Sequence, residues 1–204
     1  MLAYIARRIL LMIPTLLGIM LISFAIVQFA PGGPVAVLQQ FRDQGAIGHL
    51  GVAGGPIDLE ILYVETGMFD AVITHNRYTL LNRAAEPLLD FAAGQGVVVL
   101  NAAPYGSGIL ARGPAAYPRY AYREAPPPVR ERAMLLDQIC ERHGVPLGAA
   151  ALQFSLRDPR IGVTIVGMSK PDRIRQTVHL ARYPIPEACW DELLTVPFDM
   201  AEPR

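Results

Sequence analysis

The chain has 204 residues, enough for one good domain, and Lys plus Arg balance Asp plus Glu at 18 each. No bulk field therefore favours nucleic acid or any other charged partner. Its 52% hydrophobic content and mean hydropathy of +0.30 are high for a soluble protein, but the excess is local.

Ile9 to Ala30 is a run of 22 residues without a charge. At ~1.5 Å per helical residue that reaches across a hydrocarbon core of ~30 Å, so a single N-terminal transmembrane helix is expected. Pro14 and Gly18 are tolerable in such a helix. Arg7 and Arg8 precede it and the next cation is Arg42, which places the N-terminus in the cytoplasm and the following chain outside. A signal peptide and a buried core helix are the competing readings.

From Phe41 the character changes. Phe41 to Ile47 reads as a helix end running into a strand, His49 to Ala53. A helix follows from Asp58, its cap, to Thr66 and is closed by Gly67. Asp70 to Thr74 is a strand, Arg83 to Ala93 a helix ended by Gly94, and Val97 to Leu100 a buried strand. Ala111 to Pro128 is a long proline-rich loop. Helices are expected over Val129–His143, Leu147–Leu156, Pro171–Ala181 and Pro186–Leu194, with a strand at Gly162–Val166. Four strand–helix units in succession make a parallel α/β array.

The stretch Gly96–Leu110, GVVVLNAAPYGSGIL, stands out. Small residues and glycines straight after a buried strand leave open backbone where a ligand can approach closely. A glycine-rich turn that merely leaves the sheet is the plainer reading. Cys140 and Cys189 lack C-x-x-C spacing and read as buried free thiols, while His49, His75, His143 and His179 are scattered singly. No metal site is signalled. Ser107 is not a nucleophile elbow, because Tyr105 and Ile109 stand where G-x-S-x-G needs glycines.

Two resemblances follow from these residues. MLAYIARRILLMIPTLLGIMLISFAIVQFAPGGPVAVLQQ is similar to the N-terminus of an ABC-importer permease of the dipeptide/oligopeptide type. No further run of 18 or more apolar residues is present, so transport by this chain alone is not expected. Residues 41 to about 196 resemble the C-terminal half of an aldo-keto reductase of the aldose, fucose or galactose dehydrogenase branch. The matching blocks are GAIGHLGVAGG, FDAVITHNRYTLLNRAAEPLLDFAAGQGVVVLNAAPYGSGIL, ERHGVPLGAAALQF and GVTIVGMSKPDRIRQT. The implied fold class is α/β, an incomplete (β/α)8 TIM barrel of about four βα units after one transmembrane helix. The implied domains are 1–40, permease-like, and 41–204, reductase half-barrel.

The reductase resemblance implies hydride transfer with NADP or NAD to or from an aldose or another carbonyl/alcohol pair. It further implies an Asp-Tyr-Lys-His tetrad for the proton work; this comes from the first half of the barrel, so no catalytic residue is assigned. The cofactor positions carry over individually. Ala103, Tyr105, Gly106 and Ser107 match the loop that receives the pyrophosphate on backbone N–H groups. The family's stacking tyrosine falls at Ala102, so stacking is lost or comes from elsewhere. Asn76 corresponds to a carboxamide contact, Ser169, Lys170 and Arg173 to a 2′-phosphate or adenine contact, and Gln176 to an adenine contact; Thr177 replaces an expected asparagine. On bare sequence Lys170 and Arg173 are equally solvated charges at a helix start. Tyr117, Tyr120 and Tyr122 either line a substrate pocket or pack on the barrel's outside.

These expectations conflict over compartment, since Arg7 and Arg8 send the reductase portion outward, away from the cytoplasmic nicotinamide pool. The favoured reading is a chimera: an aldo-keto-reductase oxidoreductase, inactive as written, joined to a membrane segment. A permease fragment for peptide import is the alternative. Expected partners are the nicotinamide cofactor, a small carbonyl or sugar, and the membrane through residues 9–30, with no nucleic acid. The localisation read for the whole chain is the membrane, and for the intact reductase family the cytoplasm.

Overall fold

The computed structural model describes residues 2–29 and 33–203, which form two compact units dividing between Leu50 and Gly51. The first unit is helical, with α1 at Leu2–Phe29 and α2 at Gly33–Asp43. Pro14 sits inside α1, and the next residue's hydroxyl, Thr15 Oγ1, donates to the Leu11 and Met12 carbonyls at 2.9 Å each. The large apolar side chains described between Leu11 and Phe24 are 55–69% exposed.

Among the described residues no helix is long and apolar enough to cross a membrane. The expected span of Ile9–Ala30 is therefore not found as one. Ala30 and the side chains of Ile9, Leu10 and residues 25–29 lie outside what is described.

The second unit is α/β. Strands β1 (Gly51–Ala53), β2 (Ala71–His75), β3 (Val98–Ala102) and β6 (Ile161–Ile165) form one parallel sheet in the order β1-β2-β3-β6. Between β3 and β6 lies a separate two-stranded hairpin, β4 (Arg119–Tyr120) and β5 (Arg123–Glu124). Helices α3 (Ile57–Glu65) and α4 (Glu86–Gln95) connect the first three strands. After β3 come a 3-10 turn (Gly106–Gly108), α5 (Ile109–Arg112), α6 (Pro127–Arg142) and α7 (Leu147–Leu156); α8 (Pro171–Ala181) and α9 (Glu187–Thr195) follow β6.

One sheet face is packed and the other is open. Val72, Thr74, Val99 and Asn101 point into the helix layer and are fully buried. They join a core that includes Leu88 and Leu89 of α4, Leu136 of α6, Ala149 to Ala151 of α7, and Trp190 and Leu193 of α9. The opposite face carries Leu100, Val163 and Ile165, of which Val163 and Ile165 are 47% and 38% exposed. Such near-continuous apolar strands are what a parallel sheet needs. Arg160, at the entry to β6, ties the far end together through Asp158 (2.6 Å), Asp90 (2.6 Å) and Glu86 (2.8 Å).

Several boundaries differ from expectation for identifiable reasons. Strand β3 runs on through Asn101 and Ala102, because Asn101 Nδ2 donates to the Tyr78 carbonyl (2.9 Å) and Ser155 Oγ (2.8 Å) beneath the sheet. Asp58 does not cap α3: Pro56 holds the cap position, and the first amide, Ile57 N–H, donates instead to Glu202 Oε1 at 2.7 Å. Helix α4 starts at Glu86 and passes Gly94, ending where Gly96 turns left-handed at φ 71°. The proline-rich loop Ala111–Pro128 holds the hairpin and the start of α6. Cys140 and Cys189 are free and buried.

Candidate functional site

The ends of β2, β3 and β6 form the floor of a cavity. In the paired register His75 stands beside Ala102, and Ala102 beside Ile165, so these three make one row on the open face. Each of the first two strands then leaves the sheet through a left-handed residue, Asn76 (φ 60°) and Ala103 (φ 58°). The backbone stays pinned as it turns: Asn76 N–H donates to the Ala102 carbonyl (3.1 Å) and Ala103 N–H to the Ile165 carbonyl (3.2 Å). The small side chain of Ala102 leaves room above the row.

The cavity has a volume of about 650 Å³. Its walls are the loop Ala103–Gly108, the end of α5 at Ala111 and Arg112, Tyr122 of the hairpin, and the segment Val166–Lys170 leading into α8. Helix α8 contributes Arg173, Gln176, Thr177 and Leu180, and it buries none of its own residues in the core. Its N-terminus carries no side-chain cap. Pro171 has no N–H and the Arg173 N–H donates to the Lys170 carbonyl at 3.0 Å, so it is chiefly the positive end of the dipole, beside Lys170 and Arg173, that favours an anion here. Arg173 Nη1 donates to Gln176 Oε1 at 2.8 Å, which holds both side chains on the cavity face.

Seven of the nine residues expected to hold a cofactor line this one cavity: Ala103, Tyr105, Ser107, Ser169, Lys170, Arg173 and Gln176. Asn76 and Gly106 do not line it. Asn76 lies just behind the wall, its Nδ2 donating to Ser107 Oγ at 3.2 Å. Gly106 (φ 55°) supports the turn, and a Cβ there would come within 3.2 Å of the Tyr120 ring. Of the three loop tyrosines, Tyr122 lines the cavity, whereas Tyr120 is buried in the core and Tyr117 packs under Arg112 with the guanidinium 4.6 Å from its ring.

His75 was not among the residues expected at a site, whereas Tyr122 was one of the three loop tyrosines expected at a substrate pocket or on the barrel's outside. His75 stacks on Tyr122, ring centroids 5.7 Å apart and planes 7° from parallel, with Tyr122 Oη 2.9 Å from His75 Nε2. Burial and the nearby Arg77 charge lower the His75 pKa, so the ring is neutral at pH 7. Among the described residues, the five non-glycine residues with positive φ are Asn76, Ala103, Ser107, Ala121 and Tyr122. All five line the cavity or directly adjoin its wall, and backbone strain concentrated in this way marks a functional region. This signal lies in backbone angles and has no counterpart in composition or periodicity.

The site also fits a nicotinamide dinucleotide by its unpaired groups. Tyr105 lines the cavity with a buried hydroxyl that has no hydrogen-bond partner among the described residues, and Asn76 Oδ1 behind it is likewise unpartnered. An uncapped helix N-terminus flanked by Lys170 and Arg173 suits phosphate at one end, and these polar atoms suit a carboxamide or hydroxyl at the other.

The chain is 32% identical over 158 residues to a D-threo-aldose 1-dehydrogenase of a Pseudomonas species, which covers 76% of this chain and 48% of that protein. The chain thus spans about half the length of the curated relatives it matches over most of its own length. A solved structure, the aldo-keto reductase AKR11C1 from Bacillus halodurans in its holo form, superposes with a TM-score of 0.66 at 18% identity, covering 82% of this chain and 56% of that one. A shorter match, 56% identical over 54 residues, is to a peptidoglycan transport system permease protein of Agrobacterium fabrum, covering 26% of this chain and 15% of the permease. The profile of the aldo/keto reductase family matches residues 33–195, and by that match the chain belongs to the aldo/keto reductase family.

Proposed function

We propose that the unit from Gly51 onward binds NADP or NAD together with a small carbonyl or sugar, as an oxidoreductase of this family does. The observation that carries this reading is the uncapped N-terminus of α8, with Ser169, Lys170 and Arg173, facing a cavity at the C-terminal ends of parallel strands. Along the loop from Ala103 to Ser107 the Ala103 and Gly106 amides already donate to the Ile165 and Ala103 carbonyls, so the pyrophosphate would meet the backbone at Tyr105 and Ser107. Ser169, Lys170 and Arg173 would take a 2′-phosphate, with Gln176 at the adenine and Asn76 at the carboxamide. Bound there, the nicotinamide would supply or accept the hydride. None of the residues matched to the family belongs to its Asp-Tyr-Lys-His proton-handling set, so binding without turnover by this chain alone is the expected behaviour.

NADPH fluorescence titration of the full chain in mild detergent tests the reading. Saturable binding is expected, weakened about tenfold by Arg173→Ala, the loss of one charge-assisted contact. NADH binding should fall less, since it lacks the 2′-phosphate. Absence of NADPH binding, or equal affinity in the variant, would sink the proposal.

A second reading concerns the first unit. The apolar side chains of α1 that stand 55–69% exposed favour a lipid surface over water, and the shorter match is to a protein named as a transport permease. We infer that residues 9–30 attach the chain to a membrane with the N-terminus cytoplasmic, the arrangement Arg7 and Arg8 favour. Flotation of the full chain with liposomes is the expected result, and full recovery as a detergent-free soluble protein would refute it. The alternative of peptide import calls for complementation of an uptake defect, which we expect to fail.

A further inference from the structure

The hairpin β4–β5 turns through only two residues, Ala121 (φ 46°) and Tyr122 (φ 67°). A two-residue turn with both residues left-handed is normally filled by Asn-Gly or a similar pair, because a Cβ is crowded there. Placing a tyrosine at its second position is a strained choice, and what the choice accomplishes is visible. The ring is carried over His75 at the cavity, with its hydroxyl on Nε2.

The hydrogen-bond directions in this cluster are fixed by its donors. Asn76 Nδ2 can only donate, and it faces both His75 Nδ1 (3.1 Å) and Ser107 Oγ (3.2 Å). Nδ1 therefore accepts, the single proton of the neutral ring sits on Nε2, and Nε2–H donates to Tyr122 Oη. The tyrosine oxygen is then occupied as an acceptor. Its own O–H has no partner among the described residues, and Tyr122 is 65% exposed where it lines the cavity.

We propose that Tyr122, aimed by the chain Ser107–Asn76–His75, is the hydrogen-bond donor that anchors a hydroxyl or carbonyl oxygen of an aldose in this cavity. This rests on the reading of the cavity as a ligand site given above and adds the sugar-facing group. The opposite end of the cavity, with Lys170 and Arg173, is cationic and suits phosphate. At the aromatic end the lining side chains His75 and Tyr122 are uncharged and polar, with the neighbouring Arg77 and Arg119 guanidinium groups bonded to the His75 and Tyr122 carbonyls, and this suits sugar oxygens and an apolar sugar face lying on a ring. His75 is a positioning residue: it never needs to touch the sugar, only to hold the tyrosine oxygen and its turn.

The test uses the full chain in detergent, with L-fucose as the probe and NADPH titrated separately. Calorimetric binding of L-fucose is expected, weakened five- to tenfold by Tyr122→Phe, with NADPH affinity within twofold of the parent. His75→Phe keeps the stack and removes the donor, so it should lose as much as Tyr122→Phe. His75→Gln, whose amide N–H reaches the Nε2 position, should retain fucose affinity within twofold. Nitrogen-15 NMR of labelled histidine should show the Nε2–H form for His75. The proposal is overturned if L-fucose does not bind the parent chain, if Tyr122→Phe binds it equally, or if His75 is the Nδ1–H form. Fucose binding lost with Tyr122→Phe in a chain that fails to bind NADPH would leave this inference standing and remove the cofactor reading alone. NADPH binding with no response to fucose would do the reverse.

Discussion

On the helix-covered side of the sheet, Thr74, Asn101 and Thr164 stand in one cross-strand row; one residue further on, on the other side, the row is His75, Ala102 and Ile165. The first row is sealed. Thr74 and Asn101 are fully buried, and the Asn101 amide is taken up by Ser155 and the Tyr78 carbonyl, with Ser155 Oγ 2.7 Å from Thr164 Oγ1. The second row forms the floor of the cavity, and its imidazole finds partners in a hairpin and a turn rather than in the core. Successive side chains on a strand point to opposite faces, so a one-residue step separates packing from ligand contact. The covered face therefore sets stability, and the open face is free to carry the backbone strain gathered at Asn76, Ala103, Ser107, Ala121 and Tyr122.

The largest expected effect tests that division directly. Phe154 of α7 lies in the core, stacked on Tyr78 with ring centroids 5.0 Å apart and with the Arg83 guanidinium 5.1 Å from its ring. Phe154→Ala should cost about 3–5 kcal/mol, because it removes a buried ring and leaves a cavity. Val163→Thr, on the open face at 47% exposure, should cost less than about 0.5 kcal/mol. Denaturant unfolding followed by fluorescence of Trp190, the one tryptophan, measures both, since it is buried in the same core. Similar losses for the two variants would break the comparison.

A second expectation concerns charge on the covered side. Glu60 of α3 is fully buried, and neither its carboxyl oxygens nor Thr74 Oγ1 makes a well-formed hydrogen bond with the described residues. Burial lifts its pKa to about 7, against the opposing influence of the Thr74 hydroxyl and the Arg77 charge. An acid whose folded pKa is raised binds more protons folded than unfolded. Stability is therefore fully present below the ordinary value of 4.5, and falls as pH rises toward about 7. The loss from this group should be about 3 kcal/mol between pH 4.5 and 8. Glu60→Gln should flatten that part of the profile, and a parent chain whose stability is level from pH 5 to 8 would show that Glu60 is not held neutral.

The covered face was largely legible in the sequence, and the open face only in part. Apolar runs at Val72 and Val97–Leu100, punctuated by Gly67, Gly94 and Gly96, announce strands and helices because packing repeats with the period of each element. The SKPDRI segment likewise announced a helix start, and its Ser169, Lys170 and Arg173 line the cavity. Asn101 misled, since a buried asparagine looks like a strand end until Ser155, 54 positions later, is seen to satisfy it. His75 and Tyr122 are 47 positions apart, and nothing local links them. The hairpin was hidden because its strands are two residues each and its turn is Ala-Tyr, which carries none of the usual turn chemistry.

That same turn gives the smallest expected effect and the sharpest one. Replacing Ala121-Tyr122 by Asn-Gly supplies residues that accept the left-handed angles now held at φ 46° and 67°. Relief of the crowded Cβ atoms should exceed both the added freedom of glycine in the unfolded chain and the lost stacking on His75. The net change should be a gain of about 1 kcal/mol in the same Trp190 unfolding measurement. The sugar contact should be lost at the same time, as in Tyr122→Phe. Gain of stability with loss of binding is what a strained residue kept for its ligand requires. If the replacement destabilises the chain instead, Tyr122 is a structural prop of the hairpin, and the open face serves packing just as the covered one does.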